Sequence, residues 1–144
     1  MSTTVDWAPL PTPSPLSTGF WDAARRHELV IQRCAKCGRF RHYPQVLCPE
    51  CWSGKWSWEP VSGRGTVYSY GIAHRAFHPA WAARVPYAVM TVTLDVGVRM
   101  VSAVMTEDLE NVAIGVDVEA FFEDIPGTEV TLPCFRLAER NATR

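Results

Sequence analysis

CAKCGRFRHYPQVLCPEC, residues 34–51, contains four of the five cysteines of this 144-residue chain. The four form two Cys-x-x-Cys pairs, Cys34 with Cys37 and Cys48 with Cys51, and ten residues separate the pairs. A Cys-x-x-Cys turn places both sulfurs on one side, and two facing turns supply the four tetrahedral thiolates that zinc accepts. The motif therefore predicts one structural metal site, since a closed shell of four ligands leaves no position for water or substrate.

The identity of the metal and the role of the fifth cysteine need separate arguments. Iron fits the same four-thiolate geometry and would make the protein a rubredoxin-like electron carrier, so zinc is the first choice and iron stays open. Gly38 follows the first pair, at a position where a positive φ is expected. Cys134 stands alone on the last predicted strand, and there a cysteine usually behaves as a small buried apolar residue.

Charge and composition narrow the possible partners and compartments. The formal net charge of -1 argues against a dominant electrostatic attraction to nucleic acid or to an anionic membrane. No segment resembles a signal peptide, and no stretch approaches the ~18 apolar residues of a membrane span. We therefore expect a cytoplasmic protein without membrane attachment. Thiols stay reduced in that compartment, which favours metal ligation over disulfides for the paired cysteines.

Upstream of the cysteines, the sequence predicts a tail and a short helix. Residues 1–16 are predicted to be a flexible Pro-rich tail, because alternating prolines favour an extended backbone, and an arm that docks on a partner chain is the alternative. Residues 18–28 place apolar side chains at helical spacing, with Ser17 or Thr18 as the cap.

Downstream of the cysteines, β-branched and apolar residues recur in short segments separated by glycine-containing turns. The predicted fold class is mainly β: an N-terminal helix, a rubredoxin-like zinc ribbon and a five-stranded OB-fold barrel, with a β-sandwich fragment as the competing architecture. The predicted units are residues 17–58 for the helix and ribbon, 59–138 for the barrel and 139–144 for a flexible C-terminus. The predicted strands are 29–33 in the ribbon unit and 67–73, 87–94, 99–105, 116–122 and 130–135 in the barrel.

The sequence offers little catalytic machinery. His74 and His78 are the one plausible acid–base pair, and no Ser, Asp or Glu lies at a spacing that suggests a triad. Both histidines belong to the segment 74–86, which also carries Phe77 and Trp81. This segment is either a lid over the end of the barrel or an apolar contact surface for a partner or an acyl chain. No catalytic residue is assigned.

Four stretches of the chain occur together in a recognisable order. They are FWDAARRHELVIQRCAKCGRFRHYP at 20–44, CPECWS at 48–53, VSGRGTVYSYGIAHR at 61–75 and TLPCFRL at 131–137. With them the chain resembles the DUF35 family, zinc-ribbon and OB-fold accessory proteins of acyl-CoA metabolism, over about residues 19–137. The Pro-rich tail and the segment around Trp81 look variable, and no family role is carried over to them.

The resemblance implies a non-catalytic subunit that partners a thiolase-fold enzyme, such as a thiolase, a sterol-carrier-type thiolase or aldolase, or a hydroxymethylglutaryl-CoA synthase. A subunit of an acyl-CoA hydratase complex is the alternative. A dimeric partner favours a two-plus-two heterotetramer, with structural Zn²⁺ and a coenzyme A thioester as a shared ligand. Arginines suit coenzyme A phosphates, and exposed aromatic residues suit partner or acyl contacts. The candidates are Arg25, Arg26, Arg39 and Arg41 for coenzyme A, and Phe20, Trp21, Phe77 and Trp81 for the partner or acyl group.

Two other classes of function stay as alternatives. Zinc ribbons and OB barrels also bind nucleic acid, and Tyr68 and Tyr70 are placed to stack on bases, but the rest of the chain cancels the basic charge of residues 33–42. A stand-alone enzyme would have to use His74 or His78.

Overall fold

The computed structural model describes residues 10–105 and 107–138, except for the side chains of residues 103–105. The mainly β fold class predicted from the sequence is confirmed: an N-terminal helix, a four-cysteine ribbon and a curled five-stranded antiparallel sheet follow one another along the chain. The elements are α1 (Thr18–Arg25), β1 (Val30–Cys34), β2 (Phe40–Arg41), β3 (Trp56–Pro60), β4 (Arg64–Ala73), β5 (Tyr87–Leu94), β6 (Arg99–Met105), β7 (Asp117–Asp124) and β8 (Thr131–Leu137).

The predicted units are tested only in part by this arrangement. Residues 1–9 of the predicted tail and the C-terminal segment 139–144 lie outside the described residues. The division of the chain into a tail, a helix-and-ribbon unit and a barrel unit stays a prediction, and β3 crosses the proposed boundary after residue 58. Within the described ranges, no helix has the length and hydropathy needed to cross a bilayer.

Helix α1 is shorter than the sequence predicted. The N–H groups of Arg26 and His27 donate to the carbonyls of Ala23 and Ala24 in a tight last turn, at 2.9 and 2.8 Å. His27 then adopts φ 60°, in the left-handed region where a helix cannot continue. The predicted end at residue 28 is therefore wrong, because the chain reverses before it enters β1.

The buried face of α1 packs on the rest of the molecule through small and aromatic residues. Phe20, Ala23 and Ala24 are buried. Gly19 lies against the indole of Trp58 with no room for a Cβ atom, so the absence of a side chain lets the helix approach β3 closely. Ser17 is the N-cap residue, but its side chain makes no capping hydrogen bond, which corrects the predicted cap.

The ribbon contains a three-stranded antiparallel sheet in the order β2-β1-β3. Five pairs join β1 to β3, from Val30 opposite Pro60 to Cys34 opposite Trp56. The predicted strands did not include residues 56–60, which form β3. The pairing therefore ties the first metal ligand directly to the strand that leads into the barrel.

The second sheet has the order β6-β5-β4-β7-β8, so the first barrel strand, β4, lies in the middle. Buried and half-buried residues alternate perfectly along β5, as expected for a strand with one face on the core. The sheet curls until its two edge strands meet, and the hydroxyl of Ser102 on β6 donates to the carbonyl of Pro133 on β8 at 3.1 Å. The result is a half-barrel consistent with an OB fold.

Strand bounds differ from the prediction mainly where glycine suggested a turn. Arg64 and Gly65 belong to β4, although the sequence placed them in the turn before it. Gly65 is required there by a close approach, since a Cβ atom would overlap the carbonyl oxygen of Thr93 on β5. The bounds predicted for β5 and β6 are confirmed at both ends, whereas β1, β7 and β8 are displaced by one or two residues from their predicted ends.

Candidate metal centre and adjoining groove

The structure brings the four predicted metal ligands together. The Sγ atoms of Cys34 and Cys51 lie 3.5 Å apart, those of Cys37 and Cys48 lie 3.6 Å apart, and all four fall within 4.8 Å of one another. Sulfurs placed about 2.3 Å from a central zinc ion would be about 3.8 Å apart at the corners of a tetrahedron. The donor set and its spacing therefore fit a tetrahedral zinc ion held by four thiolates.

The first metal-binding turn, residues 34–39, is here named the first knuckle. The N–H of Gly38 donates to the carbonyl of Cys34 at 3.0 Å, and the N–H of Cys34 donates to the carbonyl of Arg39 at 2.8 Å. Gly38 has φ +78°, as predicted, which turns the backbone around the sulfurs. The Arg33 guanidinium closes this turn by donating to the carbonyl of Gly38 at 2.9 Å.

The second knuckle, residues 48–53, repeats this backbone pattern. The N–H of Trp52 donates to the carbonyl of Cys48, and the N–H of Cys48 donates to the carbonyl of Ser53, both at 2.9 Å. Trp52 occupies the position of Gly38 and has φ 65°. A left-handed conformation costs a side-chain-bearing residue about 1–2 kcal/mol, so the second knuckle retains a strained tryptophan where the first has glycine.

Backbone N–H groups favour the thiolate form at two of the four ligands. The N–H of Cys37 is the largest influence lowering the pKa of the Cys34 thiol to about 6, and burial opposes it while the N–H of Lys36 assists. The backbone of the second knuckle lowers the pKa of Cys48 in the same way. The Arg39 N–H also acts to lower the pKa of Cys37, but burial and the other thiols outweigh it and raise that pKa to about 11. A bound cation would favour the thiolate at all four.

Three of the four arginines considered for coenzyme A lie on the surface. Arg26 and Arg39 pair with Glu28 and Glu50 at 3.7 and 3.3 Å. Such exposed pairs contribute only about 0–1 kcal/mol, so an incoming phosphate can displace the carboxylate. Arg25 is exposed at the end of α1 and makes no ion pair with another described residue.

Arg41, the fourth candidate, lies in the interior. Its side chain is buried, with 7% exposure. Its Nε donates to Oε1 of the buried Gln32 at 2.7 Å, and its Nη2 donates to the carbonyl of Gln45 at 3.0 Å. Gln32 also binds the backbone of Gln45 in both directions. Arg41 therefore fastens the segment between the knuckles to β1 and does not present its charge to solvent.

Three of the four aromatic candidates meet at one groove, here called the junction groove. It has a volume of about 300 Å³ and lies where α1, residues 42–44, the segment around Trp81, β6 and β8 come together. Phe20 is buried at its base, and Trp21 and Trp81 line it. Phe77 is absent from this lining and is 84% exposed, so the structure separates it from the other three.

His42 forms part of the same lining as a neutral ring. Its imidazole packs between the rings of Phe20 and Tyr43, at centroid distances of 5.7 and 4.1 Å. Burial lowers the pKa of His42 to about 4, and neither ring nitrogen has a hydrogen-bond partner among the described residues.

The remaining histidines lie in three separate local environments. Nδ1 of His78 accepts a hydrogen bond from the N–H of Ala80 at 3.1 Å, which caps a single 3-10 turn. His74 is exposed. His27 contacts both carboxylate oxygens of Asp124, at 3.0 and 3.1 Å, and Thr131 donates to the same carboxylate at 2.6 Å. That cluster ties the end of α1 to the barrel.

Some residues of the groove and the metal centre were not predicted from the sequence. Arg84 and Leu132 line the junction groove from segments far apart in sequence, so no local motif marks them. Trp52 carried a usable signal, since aligning the two Cys-x-x-Cys units places it opposite Gly38. Cys134 is buried as predicted, and its thiol donates to the carbonyl of Leu132.

These elements define a class of protein: a helix and a four-cysteine ribbon joined to a half-open OB barrel. Models of two families match the chain in this order. Residues 21–57 match the family described as "ChsH2, rubredoxin-like zinc ribbon domain", and residues 58–123 match "ChsH2, C-terminal OB-fold domain". The zinc-ribbon description agrees with the donor set, and zinc is the metal that both support.

Individual relatives place the chain in one family. A DUF35 domain-containing scaffold protein of Methanocaldococcus jannaschii is 32% identical over 102 residues, which cover 69% of this chain and 71% of the relative. A solved structure described as "Ltp2-ChsH2(DUF35) aldolase" has a TM-score of 0.79 and 38% identity over 88% of this chain and 98% of the matched chain. The chain belongs to the DUF35 family, as the sequence motifs indicated.

A further relative is much longer than this chain. The "probable enoyl-CoA hydratase alpha subunit" of Thermomonospora curvata is 42% identical over 121 residues, which are 83% of this chain but 37% of that protein. The chain therefore spans little more than a third of the length of that relative.

Proposed function

We propose that this protein is a non-catalytic accessory subunit that binds a thiolase-fold enzyme, a thiolase or a sterol-carrier-type thiolase or aldolase, and helps to bind or position its acyl-CoA. The observation that carries the proposal is the match over 98% of the DUF35 chain in a solved aldolase assembly. A chain so similar over almost the whole of that subunit is expected to dock in a similar way.

The surface of the chain supports a role in assembly. Large apolar side chains are exposed on the second knuckle and its approach, with Trp52 75% and Val46 67% exposed. Exposed apolar residues that cluster are typical of protein interaction sites. The metal site has a closed ligand shell, so the ribbon contributes rigidity and leaves the chemistry to the partner.

The proposed contribution to acyl-CoA binding rests on Arg25, Arg26 and Arg39. Each is exposed, and the guanidinium group matches phosphate geometry. Arg41 is left out of this set because its guanidinium is buried and hydrogen-bonded.

A hydratase complex is the second candidate, and one observation favours it. The relative from Thermomonospora curvata is named as the alpha subunit of a probable enoyl-CoA hydratase, and the present chain matches about a third of its length. Under this alternative the same docking module serves a hydratase in place of a thiolase-fold enzyme.

The test is co-expression of the tagged chain with the proteins encoded by its neighbouring genes. The proposal predicts that both chains are recovered together, with the mass of a two-plus-two heterotetramer by light scattering. Recovery of the chain alone, or only with a hydratase, would contradict the thiolase-fold proposal.

The acyl-CoA contribution has its own readout in the recovered complex. Arg39→Ala is expected to weaken coenzyme A binding about tenfold by titration calorimetry, as the loss of one charge-assisted phosphate contact would do. Arg136→Ala is the matched control, because Arg136 is also exposed and pairs with a glutamate, Glu119, at 3.1 Å. Equal affinities in both variants would remove Arg39 from the coenzyme A site.

A further inference from the structure

The junction groove has the position and the size of a small-ligand site. It lies between the helix-and-ribbon part of the chain and the barrel, and pockets between structural units are common ligand sites. Its volume of about 300 Å³ is roughly twice that of the apolar cavity of about 150 Å³ that holds one benzene molecule in another protein. Two fused rings, or a branched hydrocarbon of similar bulk, would fill it.

The walls of the groove are aromatic and held in place. Phe20 and Trp21 meet edge to face, with centroids 5.0 Å apart and an interplanar angle of 89°. Trp81 packs on Tyr87 at 4.9 Å, and the Arg84 guanidinium lies 5.4 Å from the Trp81 ring. Because each indole already has a partner that fixes it, a flat ligand would lose little free energy in ordering the walls.

The polar groups at the groove are few, and those of Arg84 and Ser102 are already engaged, whereas the ring nitrogens of His42 have no partner among the described residues. Arg84 pairs with Glu123 at 3.3 Å, and both side chains are about one-third exposed. The Ser102 hydroxyl donates to a backbone carbonyl, and burial keeps the His42 ring neutral. The interior of the groove therefore favours hydrocarbon, and charge lies only at the Arg84–Glu123 pair.

We propose that the junction groove binds an uncharged apolar ring system of about two fused rings, between the indoles of Trp21 and Trp81. If the proposed function holds, the natural occupant is the ring-containing acyl part of a substrate that the partner enzyme handles. The site itself needs neither the partner nor coenzyme A, so it can be tested on the isolated chain.

The test uses the full-length zinc-loaded chain and prodan, a neutral naphthalene fluorophore whose emission shifts to the blue in apolar sites. Saturable one-to-one binding in the micromolar range is expected, as for a ligand of this size in a good apolar pocket. Leu132→Trp fills the groove from β8 and is expected to weaken binding at least about tenfold. Leu47→Trp is the matched control, because Leu47 is half exposed on the approach to the second knuckle. The Leu47→Trp protein is expected to bind prodan as the unmodified chain does.

Val101→Trp fills the groove from β6 and guards against a folding defect in Leu132→Trp, with zinc content and thermal unfolding checked for both. Absence of saturable binding to the unmodified chain would overturn the proposal. Undiminished prodan binding in the folded groove-filling variants would overturn it as well. A loss of binding confined to Leu47→Trp would also overturn it, because the probe would then lie beside the second knuckle and not in the groove. Failure of the co-expression test leaves these outcomes unaffected, so the two proposals can fail separately.

Discussion

The two knuckles of the metal centre have the same backbone conformation but expose different side chains to solvent. Both place an N–H to carbonyl bond across the Cys-x-x-Cys turn, and both use a left-handed residue immediately after the second cysteine. The first knuckle carries Lys36, Gly38 and Arg39, whereas the second carries Trp52 after an exposed approach through Val46 and Leu47.

The difference separates what the metal needs from what a partner needs. Zinc requires the sulfurs and the turn that presents them, and both knuckles supply these equally. The outward residues have no such requirement, so the first knuckle exposes the cations Lys36 and Arg39, and the second exposes the Trp52 ring together with Glu50. The left-handed conformation of Trp52 is unfavourable in free energy, and it occurs at a position where the exposed apolar ring is available for contact with a partner.

The comparison predicts first that the two knuckles contribute equally to metal binding. Cys37→Ser and Cys48→Ser are each expected to lose zinc and unfold the ribbon, because structural zinc supplies on the order of 10 kcal/mol of folding free energy in small zinc domains. Zinc content by mass spectrometry and thermal unfolding measure the effect, and the absence of visible colour excludes iron. Cys134→Ser is the matched control, since Cys134 is buried but is not a ligand.

Unchanged zinc content and thermal stability in Cys48→Ser would show that the second knuckle is not a ligand pair. The two knuckles would then not contribute equally to metal binding. Loss of zinc in Cys134→Ser would point instead to a general sensitivity of the fold to this substitution.

A smaller effect is expected from His42, in the segment that joins the knuckles. Its pKa is about 4 in the folded chain and about 6.5 when unfolded, so between these values the unfolded state binds more protons and stability rises with pH. The contribution is present above about pH 6.5 and is lost as the pH falls towards 4. From pH 7 to pH 5, the unmodified chain is expected to lose about 2 kcal/mol more unfolding free energy than His42→Phe, which keeps an aromatic ring against Phe20.

Chemical denaturation at the two pH values, at fixed free zinc, measures this difference. Acid also acts on the zinc thiolates, but it does so in both proteins, so the comparison isolates His42. Identical pH dependence in the two proteins would mean that His42 is not held neutral by burial.

The smallest expected effects sharpen the comparison at the left-handed positions. Gly38→Ala is expected to lower the free energy of unfolding by about 1–2 kcal/mol, because a Cβ atom disfavours positive φ while its nearest neighbour, the Arg33 side chain, is at an ordinary 3.6 Å. Trp52→Gly is expected to raise it by up to about 1 kcal/mol and to weaken recovery of the partner. Urea denaturation at fixed free zinc measures both changes in unfolding free energy, and the co-expression assay measures recovery of the partner. Changes of the same sign in the two unfolding free energies would show that positions 38 and 52 do not share one backbone requirement.

Local patterns in the sequence predicted well where a short motif carries the geometry. The four cysteines, the positive φ of Gly38 and the bounds of β5 and β6 all depend on neighbours within a few positions. The end of α1 was wrong because tertiary packing of His27 against Asp124 overrides helical spacing. The pairing of β3 with β1 was missed because its partner, not its own residues, makes it a strand.

The residues of the chain, read alone, indicated the metal site, the order of helix, ribbon and five-stranded sheet, and the family, because ligand type and spacing leave few alternatives for four thiolates. Tertiary structure alone decided which side chains are available. It buried Arg41 against Gln32, separated Phe77 from the other aromatic candidates, and built the junction groove from segments as far apart in sequence as Ser17 and Cys134. Burial and convergence are properties of the packed chain, since they depend on which distant segments meet, and no local pattern records them.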